Sequence, residues 1–129
     1  MMKQKIGSGT TWEDSVGYSR AIRIDNRIEV AGTTAMDGEQ LIGKGDAYKQ
    51  TKFIFEKIET ALNQLGASLA DVVRTRMYVT NIEDWEAIGR AHGEQFRTIK
   101  PVATMVEVSR LIHPDLKVEI EVSAILMSE

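Results

Sequence analysis

Two stretches of this chain repeat their apolar residues with a helical period, and both are flanked by segments that alternate with a period of two. That order limits the fold more than any other feature of the sequence. The stronger helical stretch carries Phe55, Ile58, Leu62 and Leu65 at spacings of three and four, joined by Ile54 and Ala61. Asp46 is placed to cap its start, and Gly66 to end it in the left-handed conformation. The second runs from Asn81 to Arg97, with Trp85, Ile88, His92 and Phe96 on one side and Asn81 and Asp84 as candidate caps. Before them, Ile22 and Ile24 alternate with polar residues, as do Ile28 and Val30, and Asp25-Asn26 between the two pairs reads as a tight hairpin turn. Gly32-Thr33-Thr34 ends the second strand, and the glycine-rich piece from Asp37 to Gly45 reads as a loop. Val72 to Val79, Val102 to Val108 and Lys117 to Leu126 read as further strands.

The order is therefore ββαβαββ, an α+β arrangement expected to form one mixed sheet with both helices on one face. The opposite face is expected to carry Val, Met and Ile with no third helix to cover it, which predicts self-association. At 129 residues and 43% hydrophobic, the chain (1–129) is expected to be one domain with a core of ordinary size.

Composition removes several kinds of function. There is no cysteine, so disulfides, zinc–thiolate sites, iron–sulfur clusters and thiol nucleophiles are excluded. Sixteen Lys and Arg stand against 19 Asp and Glu, a net charge of −3, and aromatics are 6% of residues. No basic surplus exists to displace counterions from phosphates, so no nucleic-acid partner is expected. The first ten residues, MMKQKIGSGT, hold no apolar run of signal-peptide length, and nowhere does one approach the roughly 20 residues of a membrane span. A cytoplasmic protein without a membrane partner is the expectation.

The histidines offer little chemistry. His92 lies on the helix stripe and reads as a satisfied helix histidine, and His113 lies in a loop that looks exposed. Neither has a carboxylate at metal-ligand spacing, so no metal is expected. Gly7-Ser8-Gly9 does not open a helix after a strand and is no phosphate loop; Trp12 reads as an N-terminal anchor. No serine sits at a strand-to-helix turn suited to a nucleophile.

The segment Pro101-Val102-Ala103-Thr104-Met105-Val106-Glu107-Val108, followed by Leu111, Pro114 and Val118-Glu119-Ile120-Glu121, resembles the C-terminal signature of the Rid family, also called YjgF-type or L-PSP endoribonuclease-like. Gly17-Tyr18-Ser19, Ala31-Gly32-Thr33 and Leu69-Ala70-Asp71-Val72-Val73 match in the same order, so the resemblance spans roughly residues 15–127. It implies a chorismate-mutase-like fold assembled as a homotrimer, with a cleft for a small metabolite between subunits. It also implies cofactor-free hydrolysis of reactive enamines and imines. An arginine there holds the substrate carboxylate in a bidentate pair, a glutamate acts on the attacking water, and a tyrosine lines the cleft.

By that resemblance Glu119 takes the water-handling position and Tyr18 the cleft tyrosine, with Gly32 in the adjoining turn. The arginine position is Ala103, Ala31 stands where active members usually carry serine, and Gly89 where many carry asparagine. The chain thus resembles a divergent subgroup without the cleft arginine, and a non-catalytic metabolite-binding trimer is the alternative to a deaminase. Endoribonuclease or translation-inhibitor activity, a role of some family members, is disfavoured by the charge balance. Arg74 and Arg76 alternate onto the sheet face of Tyr78, toward Glu107, Glu119 and Glu121. They would either pair with those carboxylates across strands, or Arg76 or Arg20 would supply the missing cation to the cleft.

Overall fold

A computed structural model describes residues 2–127. Six strands form one sheet in the order β1-β2-β3-β8-β6-β7: β1 is Lys3–Ile6, β2 Ala21–Ile24, β3 Arg27–Thr33, β6 Val72–Val79, β7 Val102–Glu107 and β8 Val118–Ile125. Only β6 and β7 run parallel; every other neighbouring pair is antiparallel. The long helix α2 (Ala47–Gln64) leads toward β6, and α3 (Trp85–Phe96) links β6 to β7. Both helices pack on the same face, α2 against β3 and β8 as well as against α3. The ββαβαββ order with a mixed sheet is therefore present.

Each end of α2 is fixed by the residue that sequence pattern assigned to it. The Asp46 side chain accepts a hydrogen bond from the Lys49 amide at 3.0 Å, and Gly66 takes φ +84° just past the last turn. Ile54, Phe55, Ile58 and Leu62 are wholly buried against Ile28, Val118 and Ile120 of the sheet. Side chains of this size contribute about 1.5–3 kcal/mol each when buried. Gln50 is buried as well, and its amide is fully used. Nε2 donates to the carbonyls of Gly43 and Asp115, and Oε1 accepts from the Lys117 amide.

Several elements lie outside the sequence reading. β1 was not expected, because Lys3-Gln4-Lys5-Ile6 shows no apolar alternation; it joins through backbone pairing with β2 and carries lysines on the sheet edge. A short helix, α1 (Thr11–Val16), follows it and ends at Gly17, φ +90°. Within the expected Asp37–Gly45 loop, β4 (Met36–Asp37) and β5 (Gln40–Leu41) form a small hairpin. The stretch at Asn81 begins as a 3-10 turn over Ile82–Asp84: Asn81 caps it through the Glu83 amide, whereas the Asp84 side chain makes no cap bond. Trp85 is 56% exposed rather than on the buried stripe, and Trp12 is 58% exposed rather than buried as an anchor.

The face opposite the helices also differs from expectation. Alternation along β6 and β8 turns Arg74, Arg76, Tyr78, Glu119, Glu121 and Ser123 toward it, with Glu29 from β3 beside them. It is a polar face edged by exposed Ile24, Val102 and Val106, not a Val, Met and Ile surface. Among the described residues neither Arg74 nor Arg76 makes an ion pair within 4 Å inside its own chain. The carboxylates find hydroxyls instead: Tyr78 donates to Glu121 and Ser123 to Glu29, each at 2.6 Å. Among the described residues no helix is long and apolar enough to cross a membrane.

Candidate functional site

The site begins at an irregularity in the ladder between β3 and β8. Val30 pairs with Val122 and Thr33 with Ile120, so Ala31 and Gly32 together oppose the single residue Glu121. Two residues facing one is a β-bulge, a device that re-aims side chains and bends a strand. Here it brings the Gly32 backbone against the Glu119 carboxylate. A Cβ on residue 32 would fall on that carboxylate, so only glycine permits the approach.

Glu119 lies opposite Tyr78 in the β6–β8 ladder and is half-buried. Burial pushes its carboxyl above the ordinary 4.5; the Arg20 charge opposes the shift and the neighbouring Glu121 adds to it. Arg20 reaches across the same bulge, donating from Nη2 to the Gly32 carbonyl at 2.5 Å. An acid raised by desolvation beside a bulge can hold or release a proton nearer neutrality than a solvated glutamate does.

A groove of about 320 Å³ lies alongside on the open sheet face, lined by Gly17, Tyr18, Ser19, Glu29, Ala31 and Glu121 among others. Tyr18 is 41% exposed at its rim, delivered there by the turn that ends α1. Glu119 does not line this groove but lies beyond Glu121, at Gly32. Tyr18, Ala31, Gly32 and Glu119 thus gather at one end of β3. Glu121 and its partner Tyr78 belong to the same cluster. Their hydrogen bond, with burial, raises the Tyr78 hydroxyl above its usual range. The signal for Glu121 was its two-residue spacing from Glu119, which fixes both to one face.

The other expected positions stand apart. Ala103 is on the edge strand β7, in register with buried Thr75, which places it on the helix side of the sheet. Three strand intervals separate β3 from β7, on the order of 14 Å at the usual spacing. Gly89 is exposed on α3 with open space around it. Arg76 is on the open face opposite Glu121, without an ion pair among the described residues. One chain therefore brings together four of the seven expected positions.

His92 is satisfied as a helix residue. Its Nε2 is 2.9 Å from the Thr75 hydroxyl, its ring packs on Phe55 and Phe96, and burial lowers its pKa below 6.5. His113 is half-buried rather than exposed and accepts from the Asp115 amide through Nδ1. Among the described residues no three His, Asp or Glu side chains gather as metal ligands would.

The family model described as Endoribonuclease L-PSP matches residues 11–126. An uncharacterised protein of Streptomyces coelicolor is 40% identical over 121 residues, covering 94% of this chain and 90% of that protein. The 3-aminoacrylate deaminase RutC of Acinetobacter baylyi is 32% identical over 104 residues, covering 80% and 82%. Among solved structures, Rv2704 of Mycobacterium tuberculosis, a member of the YjgF/YER057c/UK114 family, superposes with a TM-score of 0.86 at 46% identity, covering 97% of this chain and all of that one. With nearly its whole length matched in sequence and in fold, this chain belongs to the Endoribonuclease L-PSP family, to which the names YjgF and RutC also attach.

Proposed function

We propose that the protein hydrolyses small reactive enamines or imines to the carbonyl compound and ammonia, with Glu119 handling the water. The observation that carries this reading is Glu119 itself: a half-buried carboxyl raised above its ordinary range, seated against a glycine that leaves it room. Water adds to the C=N carbon while the Glu119 carboxylate takes its proton and the π pair moves onto nitrogen. The same carboxyl returns that proton to nitrogen, giving a carbinolamine. It then takes the hydroxyl proton and passes it to nitrogen as the C–N bond breaks, so that ammonia leaves and the carbonyl forms, an enamine entering the same path after its tautomerisation to the imine. One group serves both steps best when its pKa lies near the working pH. A deaminase among the relatives supports the reaction class.

We further propose that the cleft is completed between copies of a homotrimer. Supporting this are the open sheet face without a helix and the placement of Ala103 two strands from Glu119 and on the opposite face of the sheet. Light scattering on the purified protein should then give three times the chain mass. A trimer that binds metabolites without turning them over is the second reading, favoured by the methyl and hydrogen groups at Ala31, Gly89 and Ala103.

The test is a coupled assay on freshly generated imines, one with a carboxylate, such as 2-iminopropionate, and one without. Parent protein should accelerate at least one of them, and Glu119→Gln should lose about 10²–10⁴-fold of that rate. With Ala103 at the arginine position, the substrate lacking a carboxylate should be preferred. Thermal stabilisation by the carbonyl product with no acceleration over buffer would replace the deaminase by the binding trimer.

A further inference from the structure

A second cavity, of about 220 Å³, lies on the helix side of the sheet, between the β1–β3 edge and α2. It shares only Val30 with the groove at Tyr18. Its polar lining is Ser8, Arg20, Thr33, Lys57, Thr60 and Gln64, and no carboxylate lines it. Two like charges facing one cavity repel each other. Burial and the Arg20 charge push the Lys57 amine below its ordinary 10.5, with Asp37 opposing.

The donors of the two cations are only partly used. Lys57 Nζ donates to the carbonyls of Thr34 and Met36, at 3.0 and 2.8 Å, which leaves one of its three protons. Arg20 Nη2 is taken by the Gly32 carbonyl, but its Nε is buried with no acceptor among the described residues. Buried donors of native proteins nearly always have a partner, so an orphan points to something that fills the place. Nearby acids do not serve. Glu13 is engaged with the amide and hydroxyl of Ser8, and no hydrogen bond joins Glu119 to Arg20 among the described residues.

We propose that this cavity is a second ligand site, taking a small oxyanion such as a carboxylate or phosphate group between Arg20 and Lys57. The planar guanidinium suits a two-oxygen acceptor, and the ammonium adds a point charge. The space corresponds to on the order of seven water molecules, enough for an anion of metabolite size and too little for a polymer. Its lining contains none of Tyr18, Ala31 or Glu119, and it meets the bulge only through Arg20, whose hydrogen bond is to the Gly32 carbonyl and whose charge reaches Glu119. The oxyanion response of Tm is read without any turnover.

The test is thermal unfolding of the full chain in sodium phosphate or sodium acetate, against sodium chloride at matched ionic strength and pH. At least one oxyanion should raise Tm by about 2–4 °C over chloride, as ligand linkage requires when the anion is well above its Kd. A response to acetate alone marks a carboxylate site, one to phosphate alone a phosphate site. Arg20→Gln should abolish the difference. Thr60→Glu is the second variant: Thr60 is exposed on α2 and bonds only its own helix, through the Glu56 carbonyl. A glutamate there places a carboxylate at the pocket rim and should remove the oxyanion response while keeping or raising Tm in chloride. No oxyanion-specific rise in the parent, or a rise that persists in Thr60→Glu, would overturn the proposal.

Discussion

Gly32 and Gly89 stand at two ends of this molecule, and the space around them differs completely. At Gly32 a single added carbon meets the Glu119 carboxylate; at Gly89 it meets nothing within 4 Å. The first glycine is required by what it touches, the second by nothing in its own chain. The β3–β8 end brings the bulge against the acid, with the Tyr18 groove alongside. The α3–β7 end is bare surface, where Ala103 and Gly89 present no polar group. Catalysis built from this chain has to draw its proton chemistry from the first end, while the second offers shape and room.

Substitutions at the two ends should therefore behave oppositely. The largest effect is expected from Gly32→Ala, which drives the Glu119 carboxyl from its place. Because the carboxylate is the free end of its side chain and can swing aside, the cost in denaturant unfolding should stay near the low end of overpacking, about 1 kcal/mol, while turnover falls sharply. Gly89→Ala should do the reverse. An exposed helix glycine with free space gains up to about 1 kcal/mol on acquiring a methyl group, read as a higher urea midpoint at unchanged m. If Gly89→Ala proves as damaging as Gly32→Ala, the contrast between the ends fails.

Ala103→Arg is smaller still. On an exposed edge strand it should change stability by no more than about 0.5 kcal/mol, yet it should shift preference toward the imine that carries a carboxylate. A gain there would show that the vacated position still opens onto the reacting centre. Last comes a slope rather than a single value. The Glu119 carboxyl is raised above 4.5 in the folded protein, so the folded state holds its proton more tightly than the unfolded chain. Its contribution to stability is present below 4.5 and is lost as pH rises through the folded value. Glu119→Gln should thus be more stable relative to parent at neutral pH than at pH 4, measured as the difference in Tm across a pH series.

Much of this arrangement could be read from residues alone, because local rules dictated it. The α2 stripe, the Asp46 cap, the Gly66 stop and the Val72–Val79 strand follow from periodicity and capping chemistry, and the structure keeps each. Glu119 and Glu121 shared a face by alternation, and they share it. The failures have one physical character: they depend on a partner distant in sequence. β1 has no pattern of its own and exists because β2 offers an edge. The bulge at Ala31-Gly32 is defined only against Glu121, some ninety residues on. Arg74 and Arg76 were expected to face Glu107, Glu119 and Glu121, but the Tyr78 hydroxyl reaches Glu121 and the Ile82 amide reaches Glu107. That Ala103 faces the helix side follows from its register with Thr75, which no local signal reports.

Gln50 shows what such distant contacts control. Its amide holds the Lys117 backbone from a helix 67 positions earlier, one residue before β8 begins. A strand shifted by a single residue exchanges its two faces entirely. Were β8 to slip at that point, Ile120 would turn outward and Glu119 would enter the core. A side chain that touches neither groove nor bulge therefore acts as an alignment stop for the strand, and the address of the acid is written in α2 before β8 is reached.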